Sequence, residues 1–297
     1  MNIVSLLPAA TEIVDALGLI DQLVGRSHAC DHPAGVASLP ALTKARVDAS
    51  LASGELDRRV REIVQQRLPL YMLDEQRLAA LQPDVVVTQA ACEVCAIEYR
   101  QVEGALKRTA PHARLVSLQP ARLNEVLANV GEVADACDVS RRGQEIVGRL
   151  QARLEAVSSA SPSPRPRVAV VEWLDPLMLA GHWVPDCILA AGGMPVGPPA
   201  GAPSPYASWE QLDSLAPDAL VVAPCGFSLE RTLAEIGPHV ERLRGISPDV
   251  LVMDGNAYLN RPGPRLVDAV ERIAGWLRGE RQADSAACDL GAAGVRV

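Results

Sequence analysis

The feature that most constrains this chain is a stretch that occurs twice. Residues 80–88, ALQPDVVVT, match residues 214–222, SLAPDALVV: the end of a helix, then Pro-Asp, then an apolar run of strand length. A second pair occurs at nearly the same offset, ARLVSLQP (113–120) against DVLVMDGN (249–256). The helix-like segment TEIVDALG (11–18) likewise resembles PDCILAAGG (185–193), each apolar at helical spacing and closed by a glycine suited to a C-cap. Two copies of one α/β unit are the economical reading, and 297 residues leave room for both.

Six apolar runs have strand length: Ile3–Leu7, Val85–Thr88, Leu115–Leu118, Val168–Val171, Ala219–Ala223 and Val250–Met253. Each lies near a segment of helical periodicity, which predicts an α/β class with mainly parallel sheets. The expected organisation is an N-terminal lobe over 1–120, a helical connector over 121–160, a C-terminal lobe over 167–279 and a disordered tail over 280–297. The connector has Leu and Val at i, i+3, i+4 spacing and few breakers after Pro120, until SSASPSPRPR stops it. The tail is rich in small residues and has no clear period.

A net charge of −8 argues against a nucleic-acid partner, because phosphate binding needs clustered Lys and Arg. No window approaches the roughly 20 apolar residues of a bilayer span. The first residues, MNIVSLLPAATEIVDALG, lack the basic and continuous apolar regions of a signal peptide, which predicts a cytoplasmic protein; the alternative is a periplasmic one whose true start lies upstream. Seven cysteines without regular spacing then read as thiols of a reducing compartment.

In open parallel sheets, ligands bind outside the carboxyl ends of the strands. The loops beyond the apolar runs are dense in suitable side chains: His28, Cys30 and Asp31 in GRSHACDHP; Cys92, Glu93 and Cys95 in CEVC; Glu172 and Trp173 in EWLDP; His182 and Trp183 in GHWVP; Cys225 and Phe227 in PCGF; Asn256, Tyr258 and Arg261 in DGNAYLNRPGPR. Seven of the nine aromatics lie in or just after such loops, which suits stacking on something flat or greasy. Each residue also has a plainer reading. Cysteine packs as a small hydrophobe, strand-end acids cap loops, and histidines hydrogen-bond structurally. The Cys92–Cys95 pair is a candidate metal or redox site, the metal itself unspecified. A lone CxxC is half of a structural zinc site, and Glu93 between the thiols would raise their pKa. No phosphate-loop, dinucleotide or GxSxG motif is present.

Three segments carry a family resemblance: SLLPAATEIVDALGLIDQLVGRSHACDHP at the start, LAALQPDVVVTQ before the cysteine pair, and DGNAYLNRPGPRLVDAVE near the end. Over roughly residues 1 to 278 the chain resembles the substrate-binding proteins of cobalamin and iron-siderophore ABC importers, and more closely a branch described as cobalamin-binding proteins. The resemblance implies the class III fold: two Rossmann-like lobes bridged by one long helix, with a ligand in the cleft between them and no catalytic residues. It implies cobalamin or a related corrinoid, tetrapyrrole or metal chelate as ligand, and an ABC permease as partner of importer-coupled members. Under this reading Trp173, Trp183, Phe227 and Tyr258 wall the ligand, while Arg261 and Asn256 meet its amide or carboxylate groups. The competing reading is a metal- or thiol-dependent enzyme on the same scaffold, with Cys92, Cys95 and Cys225 as ligands or redox thiols and Glu172 or Asp31 as proton carriers.

Overall fold

Both copies of the Pro-Asp stretch launch a central strand, and they do so through the same backbone device. In the computed structural model, which describes residues 1–66, 68–89 and 99–290, the residue before each Pro-Asp pair adopts a left-handed conformation, Gln82 at φ 44° and Ala216 at φ 43°. That closes the preceding turn, through Gln82 N–H to Ala79 C=O at 3.3 Å and Ala216 N–H to Asp213 C=O at 2.9 Å. The aspartate side chain then accepts from a neighbouring chain segment: Asp84 from the Asn2 amide and Asp218 from the Arg167 amide, both at 2.7 Å. Each aspartate amide donates back to the same residue's carbonyl, at 2.8 Å in both copies. Pro-Asp is thus a two-bond clamp that sets where neighbouring strands begin.

The chain divides into two compact units, one of Met1–Leu51, Glu55–Pro120 and Asn124–Arg149, the other of Ala52–Gly54, Ala121–Leu123 and Leu150–Val297. The first contains β1 (Ile3–Ser5), β2 (Leu23–Arg26), β3 (Thr43–Ala45), β4 (Tyr71–Leu73), β5 (Val85–Gln89) and β6 (Arg114–Leu118). Its main sheet runs β2-β1-β5-β6, all parallel, while β3 and β4 form a separate antiparallel pair. One face of the sheet packs on Leu42, Leu78, Val102, Ala105 and Leu106. Gly25 in β2 is required by that packing, since a Cβ there would lie 2.4 Å from Leu42 Cδ1.

The second unit contains β7 (Arg167–Leu174), β8 (Leu177–Leu179), β9 (Met194–Pro195), β10 (Ala219–Val222), β11 (Asp249–Met253) and β12 (Ala287–Asp289). The order is β12-β11-β10-β7-β8, with β7, β10 and β11 parallel, β8 and β12 antiparallel at the two ends, and β9 pairing with the start of β7. All six apolar runs are strands, in a mixed α/β fold.

Strand register corrects the repeat in one place. Val85 pairs with Arg114 as Ala219 pairs with Asp249, so β6 and β11 are equivalent one residue away from the letter-by-letter match. A shift of one residue exchanges the two faces of a strand. The register-based match agrees with burial, which is lowest at Arg114 and Asp249 and complete by Leu118 and Met253.

Two further expectations need revision. The stretch read as one connecting helix is two, Leu123–Ala136 and Ser140–Ser159, separated at Asp138, whose φ is 57°. Aspartate tolerates that conformation better than most residues, and Gly143 lies directly against Ala134, so the two helices lie side by side. The segment from Glu280 is not frayed throughout: Asp284 accepts from the Ala286 and Ala287 amides at 2.8 and 3.1 Å, Arg281 pairs with the buried Asp289, and β12 joins the sheet. Small residues there serve close packing on β11. Residues 291–297 lie outside the described residues.

Candidate functional site

In the second unit, three parallel strands end at one place, and the loops beyond them are tied together by backbone. The Cys225 amide donates to the Glu172 carbonyl at 3.0 Å, joining the ends of β10 and β7. The Asn256 amide donates to the Phe227 carbonyl at 3.0 Å, and Asn260 Nδ2 to the Ala223 carbonyl at 2.5 Å, joining β11 to β10. Gly255 makes this close approach feasible, since a Cβ would fall 2.2 Å from the Pro224 oxygen. It opens a π-helical turn, Gly255–Leu259, capped by the Asp254 carboxylate on the Ala257 amide at 2.7 Å. Such turns displace side chains from α-helical positions and recur at functional sites. Here the turn brings Asn256 Oδ1 within 3.1 Å of the Arg261 guanidinium, which is itself buried.

Glu172 lies at an irregularity in β7, where the pairing with β8 shifts between Val171 and Trp173. Bulges re-aim side chains, and this carboxylate meets the hydroxyl of Ser204, which donates to Oε2 at 2.8 Å. The same hydroxyl accepts from the Gly181 amide at 3.0 Å. The loop carrying Ser204 is held down by His182 N–H to Ala202 C=O at 2.6 Å and by Gly201 N–H to His182 C=O at 2.9 Å. Burial pushes the Glu172 carboxyl up to about 7, and the Ser204 hydrogen bond only partly offsets it. His182, at φ 49°, has its pKa held below the usual value by burial.

Several predicted aromatics are used by the protein itself. Phe227 is 1% exposed, with the Arg231 guanidinium 3.5 Å from its ring centroid and Trp173 tilted against it at 4.9 Å. Trp183 is buried and donates its indole N–H to the Leu259 carbonyl at 2.9 Å. Tyr258 has Arg265 over its ring at 4.6 Å and Arg272 at 5.6 Å. Phe227 and Trp183 are therefore core residues of this unit, a correction to their reading as ligand walls, because an aromatic-poor chain spends its rings on packing first. Trp173 is half-buried, its N–H on the Asp175 carbonyl at 2.9 Å.

In the first unit, the loop after β2 places His28 Nδ1 2.6 Å from Thr43 Oγ1, with its ring 5.1 Å from that of Tyr71. Burial, then the Arg26 charge, hold the His28 pKa below its usual value. Cys30 is buried, its sulfur accepting from the Thr11 hydroxyl at 3.0 Å, and so is a packed thiol. Asp31 is exposed. Cys92, Glu93 and Cys95 lie outside the described residues. Among the described residues no group of three or more His, Cys, Asp or Glu side chains could hold a metal.

Sequence reasoning missed Ser204, Thr43 and Arg231, the partners of Glu172, His28 and Phe227. Ser204 had only its Pro-flanked loop as a signal, and nothing local links that loop to β7.

A family model described as "Periplasmic binding protein" matches residues 3–236. The vitamin B12-binding protein of Vibrio cholerae serotype O1 is 22% identical over 290 residues, covering 93% of this chain and 89% of the relative. Among solved structures, the periplasmic vitamin B12 binding protein BtuF of Vibrio cholerae has a TM-score of 0.66 at 21% identity, covering 93% of this chain and 96% of that one. A periplasmic heme binding protein from Pseudomonas aeruginosa has a TM-score of 0.68 at 20% identity, covering 97% of each. At these identities the structures establish a shared class III fold. These matches overturn the expectation of a cytoplasmic protein and point to the periplasm. The cysteine count had suggested otherwise, yet Cys30, Cys137, Cys187 and Cys288 are all buried, where they pack as small hydrophobes whatever the compartment.

Proposed function

Because the chain belongs to the periplasmic binding protein family, we propose that it binds cobalamin or a closely related corrinoid and delivers it to an ABC permease. Family members are solute-binding proteins. The observation that carries the choice of corrinoid over other chelates is the vitamin B12-binding relative, aligned across 93% of this chain. Loops at the carboxyl ends of the parallel strands hold the ligand. Half-buried Trp173 offers a ring surface, Asn256 and Arg261 offer donors to rim amides, and Glu172 stands near the end of β7; in the first unit, His28 and Asp31 stand after β2. The partners that orient these groups are protein atoms already in place, which favours binding into a preformed surface.

Titration with cyanocobalamin, aquocobalamin, hemin and a ferric hydroxamate tests the reading, monitored by absorbance and by melting temperature. Saturable corrinoid binding that raises the melting temperature, and exceeds the effect of the other two, is the expected result. If neither corrinoid binds at micromolar concentration, the proposal fails.

A further inference from the structure

Glu172 is a half-buried carboxyl group with which no cation among the described residues pairs. It emerges from the irregular end of β7 and is met by one neutral donor, the Ser204 hydroxyl, itself held by the Gly181 amide. The titratable and charged side chains in the loops around it include Asp175 after β7, His182 after β8, Tyr206 on the Ser204 loop, Cys225 after β10, and Asp254 and Arg261 after β11. None of these sets its proton affinity: burial and the Ser204 hydrogen bond do. Burying an acid this way costs stability that a neutral residue of the same shape would keep.

Resting on the corrinoid reading above, we infer that Glu172 is a specificity-determining residue that admits ligands presenting neutral amide groups at the end of β7 and disfavours ligands presenting a carboxylate there. An amide N–H donates to the ionised carboxylate, and an amide oxygen accepts from the protonated acid, so an amide suits both states of the group. A ligand carboxylate suits only the protonated state. Beside the ionised one it meets like charge in a poorly solvated place, and like-charge juxtaposition is an effective means of rejecting a wrong partner. Carboxylate-bearing ligands therefore carry a proton into the site, whereas amide-bearing ligands do not.

The test uses cyanocobalamin and its separated monocarboxylates, in which one rim amide is hydrolysed to a carboxylate, with Kd measured from pH 6 to 8.5. The full-length protein should bind cyanocobalamin with little pH dependence. For at least one monocarboxylate, binding should weaken towards a tenfold loss per pH unit above neutrality, giving a tenfold or greater preference for the amide at pH 8. Glu172→Gln should flatten that profile and shrink the preference at least fivefold. Ser204→Ala removes only a hydroxyl and the donor that favours ionisation, so it should move the onset of the loss to higher pH. A purely structural role for Glu172 would change both ligands alike. A preference that stays the same in Glu172→Gln, or, should that variant not fold, an onset unmoved in Ser204→Ala, overturns the inference while leaving corrinoid binding intact. Failure of cyanocobalamin itself to bind overturns both.

Discussion

Asp84 and Asp218 each give a carboxylate to an amide at the start of a neighbouring strand, at 2.7 Å in both units, yet the strands flanking them are completed differently. In the first unit β6 closes the sheet as an edge strand, with three of its five residues half-buried. Its counterpart β11 has four of five buried, because β12 covers its far side. Beyond the strands the contrast widens. β10 runs into a loop welded to β7 and β11 by backbone hydrogen bonds and a buried phenylalanine. Strand entry is the element the two copies share; at the exits, β11 runs into the π-helical turn Gly255–Leu259 where β6 leads to the helix Leu123–Ala136, while residues 90–98 after β5 lie outside the described residues.

Phe227 is where this contrast between the two units carries the most stability. If its ring is part of the scaffold, Phe227→Ala should destabilise the protein by about 3–5 kcal/mol in denaturant unfolding, as for other buried aromatic truncations. A loss of ligand affinity with stability intact would return it to the variable surface.

The next effect concerns Glu172. Its carboxyl is raised to about 7 in the folded protein from 4.5 in the unfolded chain. Between those values the native state keeps a proton that the unfolded state has released, so stability is highest below about pH 4.5 on this account, declines as pH rises through 7 and then levels. Glu172→Gln should remove that component, roughly 1–3 kcal/mol across the window, read from unfolding midpoints at pH 5 and 8. An unchanged pH dependence would show that the exit of β7 carries no such burden.

Smallest, and sharpest for the comparison, is the pair Asp84→Ala and Asp218→Ala. Each loses one charge-assisted hydrogen bond at an exposed position, and each should cost about 1 kcal/mol. Near-equal losses would support one inherited device, and a large inequality would mean the two clamps have diverged as well.

Legibility in the sequence divides along the same line. Strand entry is local: Pro-Asp after a helix end, then an apolar run, is written in about nine consecutive residues, and β1, β5, β6, β7, β10 and β11 are all readable from their apolar runs. β2, β8, β9 and β12 are not, because two to four residues pairing at an edge leave too little pattern. At the exits the sequence names Glu172, Cys225 and Asn256 as neighbours in function, yet gives no sign that Phe227 and Trp183 are consumed by Arg231 and the Leu259 carbonyl. Those contacts span 4 and 76 residues, and the second depends on how the π-helical turn at Gly255 settles against Pro224. The break at Asp138 is hidden for a related reason. No strong breaker marks it, and the side-by-side contact of Gly143 with Ala134 is a tertiary choice that helix propensity does not encode.

The antiparallel strand Ala287–Asp289 also has a meaning in time. It supplies the outer hydrogen bonds of β11, and residues 287–289 come after every other strand among the described residues, so the second sheet cannot be complete until nearly all of the described chain is available to fold. The first unit's strands all precede Pro120. A chain emerging from its N-terminus can therefore settle its first sheet early, while β11 waits with an open edge for the last strand to arrive.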